Sequence, residues 1–278
     1  MMHPGARAVE ARRLTYGANL EAAHEIAVPI EAPVNIVYGG IPHVVLMATP
    51  DRLDDLAVGF SLTEGIATHP GDLRAMEIET APEGISVRID LAPEAMKRFL
   101  ARRRNMAGRT SCGLCGLEDL AQLRLARPGR GKANTPVAPA AIARALAALP
   151  CLQPLNEATR GVHGAAWFAR DGTPVLARED VGRHNALDKM IGACLAGKIA
   201  AQAGFAVITS RCSFEMIEKA ALFGADTLVA ISAPTSLAIE RALALGITLI
   251  GVARADGALV FTEAAGDHAA RIVQEQEA

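Results

Sequence analysis

The residues best suited to covalent chemistry are Cys112 and Cys115, which form a Cys-x-x-Cys pair flanked by glycines. A cysteine attacks other groups through its thiolate, and neighbouring cations favour that charged form. Arg109 lies close to the pair in the sequence, and residues 102–104 are three further arginines. Because glycines lack the bulk that would pack these thiols in a core, an exposed loop is expected. The pattern therefore predicts a nucleophilic or sulfur-carrying cysteine.

Two other interpretations of the cysteine pair remain open. A structural zinc site needs four ligands, usually supplied by two such pairs, and the sequence has no second pair. A thioredoxin-like dithiol would lie at the start of a helix in a βαβ unit, whereas this pair follows an arginine-rich predicted helix. A solvated helix face explains those arginines equally well. The scattered residues that would have to complete a zinc site are Cys151, Cys194, Cys212, His163 and His184.

A second polar cluster, residues 178–189, lies where a predicted strand passes into a helix. Sheets of α/β proteins bind ligands at the carboxyl ends of strands, and a helix amino-terminus offers unpaired N–H groups to an anion. Arg183 adds a planar donor fork that suits phosphate. We therefore predict a phosphate-bearing ligand here, bound by Arg183 and His184. The alternative is that Asp188 and Lys189 are surface charges and His184 an ordinary helix cap.

Two loops with hydroxyl side chains follow later strands, at residues 210–213 and 232–236. Helix capping alone would explain Ser213 and Ser236, but two adjacent loops of this kind also form a phosphate cradle. An arginine at the end of an apolar strand favours an anionic partner. The absence of Gly-x-Gly-x-x-Gly and Walker sequences excludes a conventional dinucleotide dehydrogenase or ATPase. The predicted binding residues of these loops are Arg211, Ser213, Thr235 and Ser236.

The first half of the chain must position the cysteine pair, and its pattern favours short strands with two helices. β-Branched and apolar residues mark the strands, and Pro93 suits the first turn of a helix. The predicted strands are residues 36–38, 44–47 and 85–89, and the predicted helices are residues 53–63 and 93–105.

The second half alternates short apolar strands with helices. This order predicts a mainly parallel sheet that is covered on both faces by helices. Asp171 and Gly172 predict a hairpin between the first two strands. The predicted strands are residues 165–169, 175–177, 205–209, 227–231 and 248–252, and the predicted helices are residues 141–149, 185–195, 214–223 and 236–245.

The segment 127–139 is dense in proline, glycine and charge, which is typical of a linker between domains. We therefore expect an α/β protein with two domains. Residues 1–130 would form a smaller, strand-rich α+β domain that ends in the cysteine loop, and residues 131–278 a three-layer α/β domain.

The composition excludes several classes of protein. The 278 residues are 51% hydrophobic and 21% charged, which excludes a disordered chain. A formal net charge of −2 provides no general attraction to nucleic acid or anionic lipid. The uncharged stretch 32–50 contains three prolines and two glycines, so no membrane insertion is expected. The amino-terminus has no secretion signal, and a cytoplasmic protein is predicted.

With these clusters in view, the sequence resembles the formate dehydrogenase accessory sulfurtransferase family, FdhD, over nearly its whole length. One departure is Arg160, which stands where the family usually has the first glycine of Thr-Gly-Gly-x-His-Ala. The motifs that carry the resemblance are Met47-Ala-Thr-Pro50, Ala57-Val-Gly59-Phe60 with Glu64-Gly65, Ser111-Cys-Gly-Leu-Cys-Gly116, Glu179-Asp-Val-Gly-Arg-His-Asn-Ala186 with Asp188-Lys189, Ser232-Ala-Pro-Thr-Ser-Leu-Ala-Ile239 and Gly246-Ile-Thr-Leu-Ile-Gly251.

The resemblance implies a sulfurtransferase with a cysteine persulfide intermediate. It would accept sulfur from a cysteine desulfurase and pass it to molybdenum bis(molybdopterin guanine dinucleotide), which is required for formate dehydrogenase activity. By position, Cys112 matches the persulfide-bearing cysteine and Cys115 its partner. A guanine nucleotide such as GDP would mimic the bound substrate. The segment implied to bind it is Val252, Ala253, Arg254, Ala255, Asp256 and Gly257.

The resemblance also implies a homodimer and a second domain like the cytidine deaminase fold. A zinc deaminase requires His-x-Glu or Cys-x-Glu together with Pro-Cys-x-x-Cys, and neither occurs here, so deamination is excluded. No metal site is predicted. Two alternative functions stay open, a non-catalytic chaperone that holds the molybdenum cofactor and a Cys-x-x-Cys thiol oxidoreductase.

Overall fold

The computed structural model describes residues 3–16, 20, 22–104 and 136–264, which form three β-sheets and the helices around them. The strands are β1 (Ala6–Arg12), β2 (Ala23–Pro29), β3 (Ala32–Tyr38), β4 (Ile41–Ala48), β5 (Leu73–Ala81), β6 (Gly84–Leu91), β7 (His163–Ala169), β8 (Pro174–Asp180), β9 (Gly204–Ile208), β10 (Thr227–Ala230), β11 (Thr248–Arg254) and β12 (Gly257–Thr262). The α-helices are α1 (Leu53–Thr63), α2 (Pro93–Arg104), α3 (Pro139–Ala148), α4 (Pro154–Thr159), α5 (Arg183–Ala196), α6 (Phe214–Phe223) and α7 (Ser236–Leu245).

The four-stranded sheet of the first half has the order β4-β3-β6-β5. Its central strand β3 buries Val34, Ile36 and Tyr38, which alternate along the strand and therefore lie on one face. Helix α1 covers that face with Leu53 and Leu56, three positions apart on one side of the helix. This packing forms the core of the first half.

The six-stranded sheet has the order β12-β11-β10-β9-β7-β8, and β9, β10 and β11 are parallel neighbours. Alternate residues enter two cores: Trp167 faces α5, α6 and α7, whereas Phe168 faces α3. Burial on both faces explains why these strands are almost wholly apolar in sequence. The result is a three-layer α/β/α arrangement.

Several strands end at the same edge of this sheet. Strands β8, β9, β10 and β11 run in the same direction, and β7 runs against them. The carboxyl ends of those four strands and the beginning of β7 therefore meet at the same edge, which we call the carboxyl edge. The polar cluster 178–189 and the loops 210–213 and 232–236 all begin there.

Helices α1 and α5 cross with their backbones in direct contact. A Cβ atom on Gly59 would lie 1.8 Å from the Asp188 carbonyl oxygen, and one on Gly192 would lie 1.9 Å from the Asp55 carbonyl oxygen. Because α1 also packs on the four-stranded sheet, this crossing joins the two halves of the protein.

The structure confirms most predicted helices and strands. Helices α1, α6 and α7 have the predicted ends, and the hairpin predicted at Asp171 and Gly172 joins β7 to β8. The prediction of a mainly parallel sheet is wrong, because antiparallel hairpins extend the sheet on both sides. Residue patterns did not predict β1, β2, β5, β12 and the six-residue α4. The residues of those strands are mostly exposed or half-buried, so few large buried residues mark them in the sequence.

The predicted domain boundary between residues 130 and 131 lies outside the described residues, and the division stays a prediction. The four-stranded sheet falls within residues 32–91 and the six-stranded sheet within residues 163–262. The β1–β2 hairpin does not follow that division, since Pro29 packs against Gly161 beside α4. None of the described helices has the length and hydropathy needed to cross a membrane.

We expect Gly59→Ala to destabilise the protein by about 3 kcal/mol, because a methyl group forced against a backbone carbonyl separates the two helices. Chemical denaturation of both proteins measures the difference in the free energy of unfolding. Gly257→Ala is the matched control, since a Cβ atom added there would meet nothing within 4 Å, and its effect should stay within about 0.5 kcal/mol. Equal stability of Gly59→Ala and the unmodified protein would contradict the close crossing.

Candidate functional site at the carboxyl edge

The two predicted cradle loops lie side by side at the carboxyl edge. The Cys212 amide N–H donates to the Ala233 carbonyl at 3.3 Å, and the Thr235 amide N–H donates to the Cys212 carbonyl at 3.0 Å. The Val252 amide N–H donates to the Ser232 carbonyl at 3.1 Å and ties the end of β11 to the same loops. The adjacency expected from the sequence is therefore confirmed, and the 252–257 segment joins it.

Hydroxyl groups of these loops have different partners. Thr235 Oγ1 accepts a hydrogen bond from the Ala238 amide at 3.3 Å and caps α7. Ser213 precedes α6 but donates its hydroxyl to Glu215 Oε2 at 3.1 Å, without capping the helix backbone. Ser236 is the first residue of α7, after the cap. Capping alone therefore does not explain Ser213 and Ser236.

The segment 252–257 forms the end of β11 and the turn into β12. Val252 has a left-handed backbone, with φ of 52°. Ala253 is buried in the core beneath α3, whereas Arg254 is exposed and donates to the Ile231 carbonyl. Ala255, Asp256 and Gly257 are exposed. The segment therefore presents a turn and one arginine at the carboxyl edge.

Helix α5 begins at Arg183, two residues before the predicted start at Asn185, and the polar cluster lies at the strand-to-helix junction as expected. Asp180 Oδ1 accepts a hydrogen bond from the Gly182 amide at 2.8 Å, which turns the chain from β8 into the helix. Arg183 Nε is buried and has no hydrogen-bond partner among the described residues. A buried N–H group without an acceptor costs about 1 to 3 kcal/mol, so an anion at this position would stabilise it.

His184 is paired with an acid rather than left free. Its Nε2 atom lies 2.9 Å from Glu215 Oε2. This hydrogen bond from His184 is the main cause that lowers the pKa of Glu215, which is therefore ionised at neutral pH. His184 thus links the amino-terminus of α5 to that of α6. Arg211 is exposed, and within the described chain its guanidinium has no acidic partner.

His163 is a residue of the edge that the sequence patterns did not assign to the binding site. It begins β7 and pairs in register with Asp180 at the end of β8. Burial lowers the pKa of His163, and the positive charges of Arg183 and His184 lower it further. The sequence did carry one signal for His163, because this histidine belongs to the Thr-Arg-Gly-Val-His-Gly motif that was compared with the family pattern.

Asp180 and Lys189 are buried structural residues, so the interpretation of Lys189 as a surface charge is wrong. Lys189 Nζ lies 2.6 Å from Asp180 Oδ2 and donates to the Thr49 carbonyl at 2.9 Å. The Thr49 amide donates to the same Asp180 oxygen at 3.1 Å. The Met47-Ala-Thr-Pro50 motif therefore holds the junction between β8 and α5 in place.

Asp188 is likewise buried and not a surface charge, with 1% of its surface exposed. Lys219 Nζ lies 2.8 Å from its Oδ2 atom, and Thr63 donates to its Oδ1 atom at 2.8 Å. Lys219 also donates to Thr63 at 2.9 Å. These three residues belong to α5, α6 and α1, so the buried ion pair fastens both halves of the protein together.

Cys112 and Cys115 lie outside the described residues. Two of the scattered cysteines considered for a zinc site, Cys194 and Cys212, are buried, and burial raises the pKa of each thiol to about 12. They are therefore core residues with inert thiols. Cys151 is exposed.

The backbone conformation at Arg160 explains why the family that the sequence resembles usually has a glycine at this position. It ends α4 with φ of 52° and ψ of 22°, a left-handed conformation that costs a residue with a Cβ atom about 1 to 2 kcal/mol. Its side chain is exposed. The departure thus affects the backbone at the end of a helix.

A solved structure defines the class of fold. The crystal structure of a protein from Desulfotalea psychrophila, provisionally named a formate dehydrogenase accessory protein, matches with a TM-score of 0.70. The match covers 92% of this chain and 96% of that protein, at 23% sequence identity. The likeness concerns the fold, and it shows a mixed α/β protein with several sheets.

The chain belongs to the FdhD/NarQ family, whose profile matches residues 29–266. Proteins named sulfur carrier protein FdhD are similar to most of its length. The protein from Xanthomonas axonopodis pv. citri is 45% identical over 262 residues, which are 94% of this chain and 92% of that protein. The protein from Agrobacterium fabrum is 46% identical over 244 residues, or 87% and 90%. The family inferred from the motifs is confirmed.

We expect Lys219→Met to destabilise the protein by about 3 to 5 kcal/mol at neutral pH, because it leaves the Asp188 carboxylate buried without its cation. Burial raises the pKa of Asp188, so the carboxyl group takes up a proton as the pH falls. The deficit in the free energy of unfolding should therefore be smaller at pH 5 than at pH 8.

The matched control is Lys97→Met, which removes a lysine whose pair with Glu94 is exposed on α2. Such a pair contributes about 0.5 kcal/mol or less. Urea denaturation of the three proteins at both pH values measures the effects. If both lysine variants lost the same free energy of unfolding, the buried ion pair would not stabilise the protein more than an exposed one.

Proposed function

We propose that this protein is a sulfur carrier that receives sulfur on Cys112 from a cysteine desulfurase. The sulfur is then passed to molybdenum bis(molybdopterin guanine dinucleotide), the substrate that formate dehydrogenase later receives. Family membership supports the sulfur-carrier role, since the similar proteins bear that name. The carboxyl edge supports the choice of substrate, because a guanine dinucleotide carries phosphate groups. The homodimer expected from the family stays a prediction.

The observation that carries the proposal is the uncompensated Arg183 at the carboxyl edge. Its Nε atom is buried without an acceptor, and it forms no ion pair with any described carboxylate. An arginine provides paired donors that match phosphate oxygens. The amino-terminus of α5 adds unpaired N–H groups and positive potential at the same place.

The loops around Arg183 would hold the rest of the nucleotide. Ser213 and Thr235 lie in adjacent loops that are hydrogen bonded to each other, so their separation is fixed. Arg211 and Arg254 are exposed and add positive charge on either side of those loops. A rigid edge of this kind would bind the nucleotide end of the substrate and leave its molybdenum end accessible to a sulfur donor.

Sulfur loading on Cys112 is an exchange between a thiolate and a persulfide. The Cys112 thiolate attacks the outer sulfur of the desulfurase persulfide, a new S–S bond forms on Cys112, and the desulfurase cysteine leaves as a thiolate. The atoms and charges balance without another reactant. Arg109, close in the sequence, favours the thiolate form.

The decisive test of the sulfur carrier is the mass of the peptide that contains Cys112 and Cys115. The protein is incubated with a cysteine desulfurase and cysteine and is digested without reductant. We expect a gain of one sulfur atom that a reductant removes and that Cys112→Ala abolishes. Cys151→Ala is the matched control, because Cys151 is exposed and lies outside the motif, and it should load normally. Absence of added sulfur, with guanine nucleotide still bound, would favour a non-catalytic chaperone.

A resolving role for Cys115 makes a separate prediction. Its thiolate would attack the inner sulfur of the Cys112 persulfide, which closes a disulfide between the two cysteines and releases hydrosulfide. A thiol reductant would then regenerate both cysteines. Cys115→Ala should therefore load sulfur normally but fail to activate formate dehydrogenase in a reconstituted assay. Activation at the normal rate would contradict the resolving role.

A further inference from the structure

His163 lies at the carboxyl edge without a role in the proposed function. It is partly buried at the start of β7, opposite Asp180. The cationic side chains that act on it belong to Arg183 and His184, the first two residues of α5. Because the Asp180 carboxylate is hydrogen bonded to the Gly182 amide, His163 lies near the start of α5, where the buried Arg183 Nε atom has no described partner.

The charges around His163 come from three elements. On β8, Asp180 is neutralised by Lys189 at 2.6 Å. On α5, His184 is paired with Glu215 of α6 at 2.9 Å. Arg183 alone keeps a charge that no described carboxylate pairs with. A phosphate group beside His163 would therefore find in Arg183 a cation that forms no ion pair with a described carboxylate.

We propose that His163 binds a phosphate group of the substrate as an imidazolium ion, so that substrate binding takes up one proton. The inference rests on the proposed function, which puts the phosphate groups at this edge. It adds a binding residue and makes substrate affinity depend on pH. The proton comes from solvent, and no covalent bond forms or breaks.

The direction of the pH dependence follows from the charges. In the free protein, burial and the neighbouring cations lower the pKa of His163, so the imidazole is mostly neutral at pH 7. A bound diphosphate adds negative charge and acceptor oxygens, which raises that pKa. Affinity is then highest at low pH and falls by up to about tenfold per pH unit between the two pKa values, since one proton is linked to binding.

The probe is GDP-mannose, in which both phosphates are esterified. A free terminal phosphate has a second pKa of about 6 and would add its own proton to the measurement. Isothermal titration calorimetry at pH 7 in buffers of different ionisation enthalpy gives the number of protons taken up per ligand bound. We expect close to one proton for the unmodified protein, and an affinity that decreases from pH 6 to pH 8.

The variant His163→Gln keeps a polar side chain but cannot bind the proton. It should abolish proton uptake and weaken binding about tenfold at pH 6, with a smaller effect at pH 8. His69→Gln is the matched control, because His69 is a mostly exposed histidine of the first half of the chain, and it should behave like the unmodified protein. Near-ultraviolet circular dichroism checks that each variant is folded.

Three results would overturn the inference. If GDP-mannose bound without proton uptake, the role of His163 would be overturned, whereas the proposed nucleotide site would still stand. Uptake that persists in His163→Gln but disappears in His184→Gln would assign the proton to the other histidine. No binding of GDP-mannose at any pH would overturn the proposed nucleotide site together with the inference. If His163→Gln does not fold, proton uptake that persists in His184→Gln supports His163, and absence of uptake by the unmodified protein overturns the inference.

Discussion

The rest of the structure depends on the crossing of α1 and α5. At Gly59 and Gly192 the two helices touch backbone to backbone, a distance that any side chain would prevent. This contact brings Thr63 within reach of Asp188, so the buried ion pair with Lys219 forms across the crossing. The two glycines and this ion pair therefore help to fix how the four-stranded sheet sits relative to the six-stranded sheet.

The same crossing determines the geometry of the candidate site. Helix α5 carries Arg183 and His184 at its first turn, and its junction with β8 is held by Thr49 from the first half of the chain. Asn185 donates to the Met47 carbonyl at 2.8 Å and adds a second tie. Residues of the first half thus position the proposed binding residues of the second. These hydrogen bonds give the motif around Thr49 a structural role.

Residue patterns in the sequence predicted the elements that bury a face and end on a glycine. Helices α6 and α7 each have an apolar stripe. Each is followed by a glycine in a left-handed conformation, Gly224 or Gly246, and these glycines indicated where the helices end. Exposed strands such as β5 carry no comparable signal. At the site, the loops were predicted, whereas Asp188 and Lys189 were open to misinterpretation, because spacing shows that charges exist but not that they are buried. Burial depends on the packing of distant segments.

Local charges explain how a protein with a formal net charge of −2 would attract the phosphate-bearing substrate proposed for it. Near the carboxyl edge Asp180 forms an ion pair with Lys189, Glu215 is hydrogen bonded to His184, and Glu179 accepts hydrogen bonds from the Leu155 and Asn156 amides. Arg183 forms no ion pair with a described carboxylate, and the exposed Arg211 and Arg254 add positive charge at the same edge. Salt screens fields beyond about 10 Å at 0.1 M, so charges elsewhere on the surface contribute little. A few neighbouring side chains, and not the charge of the whole chain, would therefore select the proposed anion.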